Sequence, residues 1–241
     1  MLEKNPYTVF EVSHHTPSCH PHPTSKARGS SFLGENMIDH LVYATPDLEM
    51  SVKALEQDWG VPPSPGGQHP GRGTHNALLD LGDGAYLELI GPDPAQPEPK
   101  HPRGFGVDGI AVPRLVTWAA SAPGIEGRVR RCKARGHDPG AAFSMSRQTS
   151  TGNTLHWKLT SPDGLEGDGI VPFLIDWGQT DHPSESAAQG CRLVSFTAEH
   201  PDPPRVRALL EAVEVELRVE EGPHASLLAR IATPHGAKEL R

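Results

Sequence analysis

The sequence predicts an α+β fold assembled from repeated units, each a strand, a helix and then further strands. Three observations carry that prediction. Apolar runs of strand length alternate with stretches whose apolar residues recur every three or four positions. A helix-start signal of the form Pro-Asp appears twice in the same place after a strand, in TPDL (45–48) and HPDPP (200–204). Glycine and proline each number 25 in 241 residues with only 36% hydrophobic content, which demands many turns and short elements.

The first unit starts at Ile38. Residues 38–44 read as a strand, and Thr45 is placed to cap a helix with Pro46 at its first position, where a missing N–H costs nothing. Leu48, Val52, Leu55 and Trp59 lie on one face of that helix, and Gly60 ends it. After the Pro/Gly-rich loop VPPSPGGQHPGRG (61–73), which has room for a hidden short strand, come strands 75–81 and 85–90 around the turn Gly82-Asp83-Gly84. Residues 91–106 are too rich in proline for a helix or central strand and read as a linker.

The order then repeats: strand 115–121, a helix from Ile125 to about Arg135, and strands 141–147, 154–160 and 171–177. A third, shorter set has a strand at 193–200, a helix capped by Asp202, and strands 213–220 and 225–234. The expected organisation is thus an N-terminal extension (1–36), a first module (37–94), a second (107–185) and a C-terminal βαββ unit (191–241). The extension holds His14, His15, Cys19, His20 and His22 but has no apolar periodicity, so it reads as disordered, with a metal-binding tail as the alternative.

Composition narrows the function. A net charge of −8 argues against a nucleic-acid partner, and no apolar run reaches the length of a membrane span. Cys19, Cys132 and Cys191 are few, odd in number and far apart, as expected of reduced thiols in a cytoplasmic protein. The expected partner is a small-molecule substrate, with a second copy of the chain, forming a homodimer, as an open expectation.

Strand alternation selects the candidate site. If Leu41 and Tyr43 face the helix, then Ile38, His40 and Val42 face the opposite hollow; by the same argument Glu88 points there with Tyr86 and Ile90. A carboxylate inside YLELI is costly unless paired, protonated or bound to a cation, and imidazole with carboxylate suits a divalent transition metal. In TLHWKLT, Leu155, Trp157 and Leu159 form one face, which leaves His156 on the other as the expected third ligand. His75 or Asn76 shares the hollow, depending on the register of the turn at 82–84, and Asp176 is a further acidic candidate. Arg72 and Arg147 are candidates to hold a substrate carboxylate or enolate oxygen, while His69 and His182, beside prolines, read as turn residues.

The stretches MIDHLVYATPDLEMSVKAL and GGQHPGRGTHNALLDLGDGAYLELIGPDP, with FLIDWGQTDHPS and RLVSFTAEHPDP, resemble the glyoxalase-like branch of the vicinal oxygen chelate superfamily. The resemblance is strong over 37–94 and 173–203 and holds only in outline over 107–170. It implies paired βαβββ modules forming a curved mixed-sheet cup, helices outside, around a divalent metal (Zn, Fe, Mn or Ni). One ligand comes from the first strand of a module and one from the last, which corresponds to His40 and Glu88. The matching first strand of the second module, LVTWAAS, departs from the pattern by offering no His, Glu or Gln.

Three functions are compatible. The first is a metal-dependent isomerase or lyase acting through a stabilised enediolate, with Glu88 doubling as catalytic base. The second is an iron(II) extradiol-type dioxygenase. The third is a metal-free binding or resistance protein whose pocket is lined by Trp59, Trp118, Trp157 and Trp177.

Overall fold

The computed structural model describes residues 38–148, 152, 154–161 and 165–241; the expected N-terminal extension lies outside them. The first unit runs β1 (Ile38–Ala44), α1 (Leu48–Trp59), β2 (Ser64–His69), β3 (Thr74–Asp80) and β4 (Tyr86–Pro92). β2 is the strand for which the Pro/Gly-rich loop left room. The second unit repeats the order as β5 (Arg114–Ser121), α2 (Ile125–Ala134), β6 (Phe143–Gln148), β7 (Thr154–Leu159) and β8 (Phe173–Asp176).

These strands form one curved, nearly closed sheet in the order β2-β3-β4-β1-β5-β8-β7-β6. β1 runs parallel to β4 and β5 parallel to β8, while β1 and β5 pair antiparallel at the join. The two halves therefore carry the same strand order about the β1–β5 seam. At the far edges β6 meets β2, where Arg147 Nη1 donates to the Gly66 carbonyl at 2.5 Å.

Helix α1 starts one turn-signal later than expected. Asp47 caps it, accepting from the Met50 N–H at 2.9 Å, whereas Thr45 turns inward and its Oγ1 lies 2.6 Å from Ser51 Oγ. Gly60 ends the helix with φ at 79°, a left-handed conformation that favours glycine.

The C-terminal unit comprises β9 (Arg192–His200), α3 (Pro203–Ala212), β10 (Arg218–Glu221), β11 (Ser226–Thr233) and β12 (Gly236–Leu240). Asp202 caps α3 as expected, its carboxylate accepting from Arg205 N–H. The strand expected over 213–220 shrinks to four residues because Val213 and Val215 are buried at the end of α3 instead of alternating along a strand. A further strand, β12, pairs with β11. The sheet order is β10-β9-β11-β12, with β9 parallel to the first strand after its helix. In the first unit the parallel partner of β1 is the last strand, so the shared capping signal does not imply a shared topology.

Two cores divide the large sheet by face. The outer core joins α1, α2 and the small sheet, and includes Leu41, Leu55, Trp118, Ile125, Phe196 and Val206. Trp118 on β5 meets Phe196 on β9 edge-on, ring centroids 5.5 Å apart, and its Nε1 donates to the Ile170 carbonyl at 2.8 Å. The inner face, with Val42, Ile90, Ala119, Trp157 and Phe173, lines a cup.

Candidate active site

The head of β1 is a bulge. Ile38 pairs with Ala120 and His40 with Ala119, so Asp39 is the extra residue. A bulge re-aims the side chains on either side of it. Ile38 accordingly packs on the outer core, correcting the expectation that it shares the cup face with His40 and Val42. His40 remains in the cup, stacked on Tyr86 with ring centroids 4.6 Å apart.

Asp39, 2% exposed, holds three partners. Its carboxylate lies 2.7 Å from His40 Nδ1 and 3.2 Å from His182 Nε2, and accepts from Trp177 Nε1 at 3.1 Å. Burial alone would raise this carboxyl, but the hydrogen bonds and charges of His182 and His40 outweigh it and hold the pKa at about 2. With the carboxylate accepting at Nδ1, the ring of His40 turns Nε2 into the cup toward Glu88. The Ser184 backbone N–H donates to His182 Nδ1 at 3.3 Å, which leaves the proton of that ring on Nε2, toward Asp39.

Glu88 comes from the middle of β4. Its Oε2 lies 3.6 Å from His40 Nε2, and its Oε1 accepts from Asn76 Nδ2 at 2.6 Å. The β3–β4 register, with Leu78 opposite Glu88 and Asn76 opposite Ile90, resolves the open alternative at the turn. Asn76 faces the cup, and the half-buried His75 points to the other side. The Asn76 Oδ1 atom is buried without a hydrogen-bond partner.

His69, read from sequence as a turn residue, ends β2 and faces the cup. Its Nε2 lies 3.9 Å from Glu88 Oε1 and its Nδ1 2.9 Å from Thr74 Oγ1. Burial pushes its pKa down against the opposing pull of the Glu88 charge. The strand was hidden by Pro65, Gly66 and Gly67; the available signal was that His69 and Thr74 flank a four-residue turn. His182 was missed because its role depends on contact with a residue 143 positions away in the chain.

Arg147 and Arg72 both line the cup. Arg72 stands over the Phe143 ring, 5.7 Å from its centroid. His156 does not join them. On β7 the buried, cup-lining residues are Trp157 and Leu159, and His156 is exposed on the outside, where its backbone carbonyl accepts from Thr180 Oγ1. The face assignment failed because Lys158, on the same side as His156, reaches outward to Glu126 of α2, while the cup wall itself is apolar. Asp176 also lies outside the site, accepting from the Gly124 and Ile125 N–H groups at the start of α2. Of the four tryptophans, Trp157 and Trp177 line the cup and Trp59 and Trp118 belong to the outer core. The cup is open at its mouth and combines a few polar side chains with an aromatic and aliphatic wall, the character of a small-molecule site.

The expected metal set does not assemble. Among the described residues no three His, Cys, Asp or Glu side chains are arranged to hold a metal ion. Glu88 Oε1 is committed to the Asn76 amide, and the cup-lining residues of β7 and β8, Trp157, Leu159, Phe173 and Ile175, offer no metal-ligating atom. The buried Arg147 cation in the same cup further disfavours a second cation and favours an anion.

Comparison with protein families gives a match to the glyoxalase-like domain over residues 38–214. The chain belongs to the glyoxalase-like domain family. For this glyoxalase-like protein, comparison with curated protein sequences gives no match. A hypothetical protein from Staphylococcus aureus has a similar structure, with a TM-score of 0.61 at 13% identity, covering 85% of this chain and 98% of that one. A methylmalonyl-CoA epimerase from Mycobacterium tuberculosis aligns with a TM-score of 0.40 at 16% identity, over 59% of this chain and 88% of its own. A methylmalonyl-CoA epimerase from Streptomyces coelicolor, in complex with 2-nitronate-propionyl-CoA, aligns with a TM-score of 0.41 at 16% identity, over 59% and 98%. At these identities the likeness is one of fold. No helix among the described residues is long and apolar enough to cross a membrane.

Proposed function

We propose that this glyoxalase-like protein is an isomerase or lyase that moves a proton on a carbon next to a carbonyl, using side chains alone. The observation that carries this reading is the pair Glu88 and His40, whose Oε2 and Nε2 atoms lie 3.6 Å apart inside the cup. Glu88 takes the proton from the carbon, and the electron pair left behind moves onto the carbonyl oxygen. Arg147 offers a cation to that oxygen. The proton returns to the same or a neighbouring carbon, or the electron pair expels a leaving group. Asp39 pins Nδ1 of His40, so that Nε2 is held toward Glu88 and can share the proton.

The test is solvent exchange. The full chain is incubated in deuterium oxide with 2-oxo acids, 2-hydroxy ketones and acyl thioesters, and deuterium uptake at the C–H carbon adjoining the ketone or thioester carbonyl is read by mass spectrometry. At least one class is expected to exchange, with Glu88→Gln reducing the rate a hundredfold or more. No uptake with any class, from protein that still binds one of them, would replace the enzyme with a binding protein. One metal ion per chain, lost in Glu88→Ala, would restore the metal-dependent isomerase or lyase. Oxygen uptake with a catechol would favour the iron(II) dioxygenase.

A further inference from the structure

Arg147 is 5% exposed, yet it forms no ion pair with any described carboxylate. Its Nη1 is used by the Gly66 carbonyl, which fixes the guanidinium at the seam where β6 meets β2. Glu88, the carboxylate in the same cup, is turned to Asn76 instead. The Glu88 charge reaches this guanidinium only through space and does not offset its burial, and the guanidinium retains donors suited to a planar oxyanion.

The remaining wall has the opposite character. Trp157 and Trp177 lie with ring centroids 5.2 Å apart, tilted by 40°, and Phe173, Phe105 and Met145 continue the surface. The polar atom of Trp177 is already taken by Asp39, so its ring is left as hydrocarbon surface.

We propose that the cup selects a substrate with an anionic carboxylate head and a flat hydrocarbon body, the head on Arg147 and the body against Trp157 and Trp177. This rests on the proton-transfer reading for the identity of the site and adds the substrate class, an acid whose carboxylate stands next to the reacting carbonyl so that the one guanidinium serves an oxygen of each. A buried, fixed guanidinium discriminates by charge, because a neutral analogue leaves the cation unpaired. The aromatic wall discriminates by length, because a short acid leaves it wet.

Three probes separate these demands: 2-oxo-4-phenylbutanoate, its primary amide, and 2-oxobutanoate. Binding to the wild-type chain and to Glu88→Gln is measured by calorimetry and by tryptophan fluorescence. The phenyl acid is expected to bind at least tenfold more tightly than either of the others. Arg147→Met is expected to remove the preference for acid over amide, and Trp157→Ala the preference for the phenyl acid over 2-oxobutanoate. Because Arg147 is buried, circular dichroism checks each variant; Trp157→Ala, which leaves the arginine in place, keeps the wall assignment testable should Arg147→Met unfold. Equal binding of acid and amide, or of long and short acids, by wild-type protein would overturn the proposal. The two readings fail separately: tight, acid-selective binding without deuterium exchange removes the reaction and keeps the substrate class. Exchange on neutral ketones without acid selectivity does the reverse.

Discussion

Asp39 Oδ1 lies 2.7 Å from His40 Nδ1, so the residue made extra by a bulge orients its neighbour in the cup. The pKa of Asp39 is held at about 2 against an ordinary 3.8. A depressed carboxyl stabilises the fold fully above the unfolded value and loses that contribution as pH falls through the folded one. Wild-type protein should therefore lose about 2 kcal/mol between roughly pH 4 and pH 2 through this group. Asp39→Asn should be less stable at pH 7 by a similar amount, about 2 kcal/mol, and flatter across that acid window. Urea titrations at several pH values check both; a variant as acid-sensitive as wild type would assign the pH dependence to other carboxylates.

The second partner of Asp39 makes its own prediction. His182 Nε2 lies 3.2 Å from Asp39 Oδ2, and the His182 ring meets Tyr86 and Trp177 edge-on. Residues in one buried network couple, so Asp39→Asn and His182→Ala should not add. A double-mutant cycle by urea denaturation should show a coupling of about 1 kcal/mol or more. Strict additivity would mean that the contact carries no stability.

Gly66 is needed for a different reason than Gly60. Its φ is not in the left-handed region, yet a Cβ there would lie 2.1 Å from Asn76 Oδ1. Gly66→Ala should push the amide off Glu88 and lower stability by about 1–3 kcal/mol. Removing the obstructing amide in the double variant Gly66→Ala/Asn76→Ala should reduce the cost of the glycine change, leaving only the tight approach to the residue 76 carbonyl oxygen at 3.1 Å. Thermal melts of the four proteins check this; an equal cost of Gly66→Ala in both backgrounds would place the strain elsewhere.

Much of the fold was legible in sequence because local rules sufficed. Leu48, Leu55 and Trp59 marked the buried face of α1, Gly60 its end, and Asp202 the start of α3. His40 and Glu88 were legible as a pair because each sits in an apolar strand where a charge is costly. What failed depended on non-local geometry. The outward turn of His156 follows from a wall that had to be apolar where β7 closes the cup, and Ile38 was misplaced by a one-residue bulge in its pairing with β5. His69 and His182 look like loop histidines until β2 and the segment after β8 fold back onto Glu88 and Asp39.

The outer core gives a prediction that leaves the cup alone. Phe196 on the small sheet is buried against Trp118 on the large one. Phe196→Ala should cost about 3 kcal/mol, because a large ring is removed from a core that cannot fully close. The protein that remains folded should bind cup ligands unchanged, since Trp118 faces away from the cup. A large drop in melting temperature with equal dissociation constants is the expected result, and unchanged stability would mean that the small sheet is not docked through this ring.

The histidines provide the sharpest contrast between the site expected from sequence and the one the fold builds. His156 and His69 are each a single imidazole, and sequence favoured the first as a site residue. His156 is exposed, and its described hydrogen bonds run through its backbone to Thr180, so His156→Ala should change stability by no more than about 0.5 kcal/mol. It should also leave ligand binding and deuterium exchange intact. His69 lies 3.9 Å from Glu88 Oε1 and 3.4 Å from Asn76 Nδ2, inside the cup. Its replacement by alanine opens a polar void beside the proposed base, so the exchange rate should fall at least tenfold while the protein stays folded. Side-by-side exchange assays decide it: a loss of activity in His156→Ala, with His69→Ala unaffected, would return His156 to the site and overturn the cup geometry as the basis of the chemistry.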